Sequence, residues 1–225
     1  RFLKSELNID KEFAPIDGEK RENYIQLLEE VDSEVIGITE EIIAMASAEL
    51  NEDLDQHIRI GLADHIAFSL KRIRDGIEVA NPFLVETRTL YNEEYSVAEK
   101  AVAMIADRFD LEIPESEVGF ITLHIHGARN ERGISKTLQN TSLIKDLIDL
   151  IEDELNISLN PGSLSYRRLI THLRFSLNRL RKGKEIENPL LYNIQENFKD
   201  AYSLAQKVVN KMKERLSYEI SEHEI

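Results

Sequence analysis

The chain has 225 residues, 42% of them hydrophobic and 31% charged, the balance of a folded globular protein rather than a disordered one. A formal net charge of −14 argues against a nucleic-acid surface, which needs a clustered basic footprint. The absence of cysteine excludes disulfides and thiolate metal sites and fits a cytoplasmic protein, and no apolar run approaches the roughly 18 residues of a membrane span.

In chain order, residues 1–20, with Pro15 and Gly18, read as a tether, and Arg1 in place of Met points to a chain cut from something longer. Residues 22–50 predict a leading helix. A second helix follows, in which Leu62, Ile66, Leu70 and Ile73 fall at i, i+4, i+8 and i+11, a single apolar stripe. Arg72 and Arg74 supply last-turn cations, and Gly76 a left-handed end. Asn81-Pro82 then restarts the chain as N-cap and first helical residue, and one long helix is expected to run to about Phe109. The stretch FITLHIHG alternates at period two, yet Glu115 to Asn130 fits a closing helix better, because the other elements of the unit are helical. The polar run around residues 130–137 is the expected linker, and 141–158 a second leading helix.

Sliding residues 62–118 by 107 positions onto 169–225 needs no gap and leaves 22 of 57 positions identical. Chance would give about four, so the chain is an internal duplication with a domain-sized period. The expectation is an all-α protein of two tandem homologous helical-bundle domains: tether 1–20, first domain 21–130, linker 131–138, second domain 139–225.

The repeat also selects residues. His65, Phe68, Ser69 and Arg72 return as His172, Phe175, Ser176 and Arg179. His65 lies at the margin of the apolar stripe, with Ser69 and Arg72 at i+4 and i+7. An imidazole beside a hydroxyl and a guanidinium is a suitable place for a phosphoryl group, since the arginine pairs with phosphate oxygens and the hydroxyl donates to them. A plain packing histidine is the simpler reading of His65 alone. Asp64 adjoins His65, and a carboxylate at that distance could orient the ring. His124 and His126, two apart, point to different faces of a helix. No HExxH motif, carboxylate cluster, nucleophile elbow or glycine-rich phosphate loop is present, so neither a metal site, a catalytic triad nor a cofactor is expected. His57 and His223 have Leu164 and Ser116 as repeat partners and read as solvated surface groups.

The phrases LADHIAFSLKRIRDGIEVANPFL and EVGFITLHIHGARN resemble the PTS regulation domain, the duplicated helical module of the BglG/LicT/SacY-type transcriptional antiterminators of bacterial sugar operons. The resemblance spans roughly residues 22–225, and the wording of residues 1–50 is most similar to the glucose-operon branch. It implies a protein that is not an enzyme but a phosphoryl acceptor. Its phosphoryl donors would be the phosphocarrier HPr and a sugar-specific enzyme II, and its assembly a homodimer through like domains. RNA would be bound only through a separate N-terminal domain, with no membrane insertion. The family's acceptor histidines fall on His65, His124 and His172, with Thr171 where the family has Asp. The position matching His124 falls six residues past Ile225. A DNA-binding activator carrying the same domains, a phosphocarrier, and a plain helical dimerisation scaffold are the competing readings.

Overall fold

The structure, a computed structural model, describes residues 31–130, 133–183, 187–216 and 220. Among these residues the regular structure is helical, and it falls into two repeated units. The first contains α1 (Ser33–Leu50), α2 (Ile58–Arg74), α3 (Leu84–Leu90), α4 (Asn92–Phe109) and α5 (Glu115–Arg129). The second contains α6 (Gly133–Leu155), α7 (Leu164–Arg181), α8 (Leu191–Asn197) and α9 (Lys199–Leu216).

Local chemistry sets the ends of these helices. The Asp32 carboxylate accepts from Glu34 N at 2.8 Å and caps α1, and Asn51 closes it in the left-handed region. In α2 the expected stripe is buried at Leu62, Ile66 and Leu70, and Gly76 ends the turn at φ +70°. Ser163 caps α7 by accepting from Tyr166 N at 3.1 Å, and Gly183 repeats the left-handed stop. The alternating FITLHIHG stretch lies inside α5, as the helical reading expects.

Three expectations need correction. Asn81 does not cap a helix beginning at Pro82: its side chain accepts from Phe83 N at 2.9 Å, forming a turn, and α3 begins at Leu84. Asn188 makes the same turn with Leu190 N at 3.0 Å. The long helix to Phe109 is in fact two, bent at Tyr91 (φ −129°, ψ 48°), and its counterpart bends at Phe198 with the same angles. Backbone hydrogen bonds run on through both bends, Tyr91 N to Thr87 O and Tyr95 N to Tyr91 O in the first copy. The bend has a packing cause. Tyr95, Val97, Ala98, Ala101 and Ile105 face the first core, whereas Leu90 and Tyr91 join the second. Lastly, the linker is shorter than expected, because α6 already starts at Gly133. A Cβ on Gly127 would stand 2.8 Å from the Gly133 carbonyl carbon, so the glycine permits the tight passage from α5 to α6.

The first core gathers Ile38, Ile42, Leu62, Ile66, Ala101, Ile121 and Ile125; the second gathers Ile144, Leu147, Ile148, Ile170, Leu173 and Met212. Between them, α3 packs on α4 and α5 of its own unit and on α6 and α7 of the other. Polar bonds across this junction include Tyr166 OH to buried Glu86 at 2.9 Å, Arg174 Nη1 to Leu90 O at 2.9 Å, and Tyr91 OH with Thr141 Oγ1 at 3.2 Å.

Candidate functional site

Helices α2 and α5 cross so that the residues one turn apart on α2, Gly61, His65, Ser69 and Arg72, confront Glu117, Phe120 and His124 of α5. The His65 and His124 rings stand 5.2 Å apart, centre to centre, and Phe120 lies 5.6 Å from His65. Gly61 makes room: a Cβ there would sit 3.4 Å from His124 Cε1. Gly119 does the same for the Asn81-Pro82 turn, since a Cβ would meet Asn81 Nδ2 at 2.4 Å. The quoted phrases of α2 and α5 are thus one site.

Its centre is Glu117, which sequence reasoning did not single out. One carboxylate oxygen accepts from His65 Nε2 at 2.9 Å and from Ser69 Oγ; the other accepts from Arg72 Nη2 at 3.0 Å. Arg72 also donates to Ser69 Oγ at 3.1 Å, and its Nε is buried without a partner. Burial of Glu117 opposes its charge, but the His65 and Ser69 hydrogen bonds, with the His65 and Arg72 charges, outweigh it and hold the carboxyl below the usual range. An ionised carboxylate can only accept, so His65 Nε2 carries the hydrogen. Nδ1 of the same ring has no hydrogen-bond partner, and the side chain as a whole is partly exposed.

His124 is the buried member. Desolvation, and then the nearby His65 charge, push it down to about 3, so it is neutral at physiological pH. His126 faces elsewhere, as the two-residue spacing requires. It stacks on Tyr91 at 3.9 Å and bonds Glu94 at 2.9 Å, next to Arg129, which holds Glu52, Glu93 and Glu94.

The remaining expected residues are spread out. Asp64 is exposed, and no hydrogen bond joins it to His65. His57 is exposed and bonded to Asp55, and His223 lies outside the described residues. In the second unit His172 is exposed at the rim of an apolar cavity of about 230 Å³, with Ser176 in its lining and Arg179 3.5 Å from the Ser176 hydroxyl. Phe68 and Phe175 project into solvent beside the two histidines. Among the described residues no three metal-ligating side chains come together, and no helix is long and apolar enough to cross a membrane.

The signal that could have found Glu117 was present. The offset that pairs His65, Ser69 and Arg72 with their counterparts also pairs Glu117 with Glu224 (117 + 107 = 224). Sequence proximity drew attention to Asp64 instead.

The described residues form two repeated helical units, each presenting a histidine beside a serine and an arginine on the same helix, a duplicated helical module. The PRD domain family matches residues 40–128 and again 145–225, and the chain belongs to that family. Transcription antiterminator LicT of Bacillus subtilis is 29% identical over 223 residues, covering 98% of this chain and 80% of that protein. The PtsGHI operon antiterminator of Bacillus subtilis is 36% identical over 160 residues, 70% of this chain and 57% of that protein. The GlcA/glcB genes antiterminator of Staphylococcus carnosus is 29% identical over 225 residues, 99% and 78%. A crystal structure of GlcT CAT-PRDI shares 42% identity over 50% of this chain and 67% of that one, with a TM-score of 0.49. The chain is therefore a pair of PRD regulatory domains of the transcription-antiterminator type.

Proposed function

We propose that this chain is a phosphoryl-accepting switch, in which the sugar phosphotransferase system modifies His65, His124 and His172 to control dimerisation and hence antitermination at a sugar-uptake operon. The observation that supports it most is the pairing of His65 and His124, two neutral-capable imidazoles 5.2 Å apart on crossed helices, one half-buried and one buried. Histidine attacks phosphoryl donors through an unprotonated ring nitrogen. In His65 that nitrogen would be Nδ1, on a partly exposed ring, whereas His124 is buried.

Catalytic power lies in the donors, HPr and a sugar-specific enzyme II. Each phosphoryl group adds roughly −1.5 to −2 charge. Where like domains meet in a homodimer, that charge is doubled across a short distance, and about 5.5 kcal/mol spans a 1:99 to 99:1 population shift. With sugar flowing, enzyme II loses its phosphate to sugar, the first unit stays unmodified, and a separate RNA-binding domain dimerises. Ser69 and Arg72 can support a phosphoryl group only if Glu117 gives way; Ser176 and Arg179 are the corresponding pair for His172. Asp64 has no part in orienting His65 in this arrangement.

The test is incubation with phosphoenolpyruvate, enzyme I, HPr and enzyme II, followed by mapping of phosphohistidine. Modification at His65, His124 or His172 is expected, and none at any of the three overturns the reading. In a reporter strain, His65→Ala with His124→Ala should make antitermination independent of sugar.

A further inference from the structure

We propose that Glu117 is the positioning residue of His65: it holds the Nε2–H of the ring, so that the phosphoryl group enters at Nδ1. The proposal rests on the reading of His65 as a phosphoryl acceptor and adds the atom and the residue that selects it.

Three observations converge. First, Nε2 is engaged: it donates to Glu117 Oε2 at 2.9 Å, and the same carboxylate is pinned by Ser69 and Arg72. Second, little space adjoins the His65–Glu117 contact. The gap bounded by His65, Ile66, Leu70, Glu117 and Ile121 holds about 10 Å³, no more than a single water-sized sphere. A phosphoryl group on Nε2 would also press its charge against a buried carboxylate. Third, Nδ1 has no hydrogen-bond partner, and the His65 side chain is partly exposed.

The transfer balances without moving a proton from the site. The Nδ1 lone pair forms a bond to phosphorus as the N–P bond of a donor phosphohistidine breaks. The electron pair stays on the donor ring, which, protonated at its other nitrogen, leaves as a neutral imidazole. His65 ends as a phosphorylated imidazolium whose Nε2–H remains on the Glu117 carboxylate, the one charge placed to offset it.

Two measurements test this. In the full chain carrying His124→Ala and His172→Ala, His65 is loaded from phosphoenolpyruvate, enzyme I and HPr. The product is then read with antibodies specific for each phosphohistidine isomer. The Nδ1 isomer is expected alone, with Glu117→Gln slowing loading about tenfold, the lower end of the effect of groups that orient metal-binding imidazoles, and admitting the Nε2 isomer. The glutamine keeps the shape, but its amide also donates, so both ring tautomers fit. An Nε2 isomer in the protein that retains Glu117 overturns the proposal. If His65 is not loaded at all, it is the acceptor reading that fails. The positioning role is still decided by nitrogen NMR of the histidines in the unmodified chain. An Nε2–H tautomer that Glu117→Gln equalises supports it; an Nδ1–H tautomer sinks it.

Discussion

The two units share a plan and differ in what covers them. In the first, Leu90 and Tyr91 at the bend of α3 and α4 are buried against the second unit. Their counterparts have no such neighbour: Phe198, at the matching bend, is 60% exposed, and α8 buries none of its residues. The first unit also has a buried histidine, His124, beside a half-buried one, His65, whereas His172 is exposed. Duplication copied the helices and their turns, but each copy's surroundings then decided which side chains are core. Near-identical local sequence thus supports two kinds of histidine, His65 tied into a hydrogen-bond network between two helices and His172 exposed.

The largest test of that difference is pH. His124 binds a proton in the unfolded chain near pH 6.5 but in the fold only near 3. The unfolded state binds more protons between these values, so stability is present above about 6.5 and is lost as pH falls. At about 1.4 kcal/mol per unit the bound is about 5 kcal/mol. Glu117 and Glu94, whose carboxyls are held below their usual range, push in the same direction. Chemical denaturation from pH 7 to pH 4 should show a steep loss that His124→Gln flattens; an unchanged slope would mean the ring is not sealed. Next is the bend. Tyr91→Ala removes a buried ring and should cost about 3–5 kcal/mol, while Phe198→Ala should stay within about 0.5 kcal/mol. Equal losses would show that Phe198 is covered in solution. Smaller again are Gly76→Ala and Gly183→Ala, at φ +70° and +59° with open space around Gly76 and Gly183. Each should lower stability by about 1–2 kcal/mol through the left-handed backbone alone, and matching melting shifts would confirm that the two turns are equivalent. The smallest effect belongs to the repeated surface pairs Lys100–Glu49 and Lys207–Glu154. Either lysine changed to alanine should cost less than about 1 kcal/mol, more at low salt than at high.

Much was legible in the residues alone. The apolar stripe of Leu62, Ile66 and Leu70, the glycine stops at Gly76 and Gly183, and the 107-residue offset established an all-helical duplicated protein and pointed to His65 and His172. These signals are local or repetitive: helical period, backbone conformation and repetition act within a few residues, or repeat along the chain. The bend at Tyr91 was not legible, because the same apolar pattern serves one straight helix or two, and only the position of a second core makes the chain turn. Glu117 was missed for a related reason. It lies 52 positions from His65, and nothing in its own neighbourhood marks it as the acceptor of that ring's hydrogen. Sequence determined which residue types the site carries and that they come in two sets. Only the crossing of α2 and α5 decided which carboxylate meets the imidazole, which ring nitrogen is left without a partner, and which histidine is buried, since contact and burial belong to the packed helices and not to any one of them.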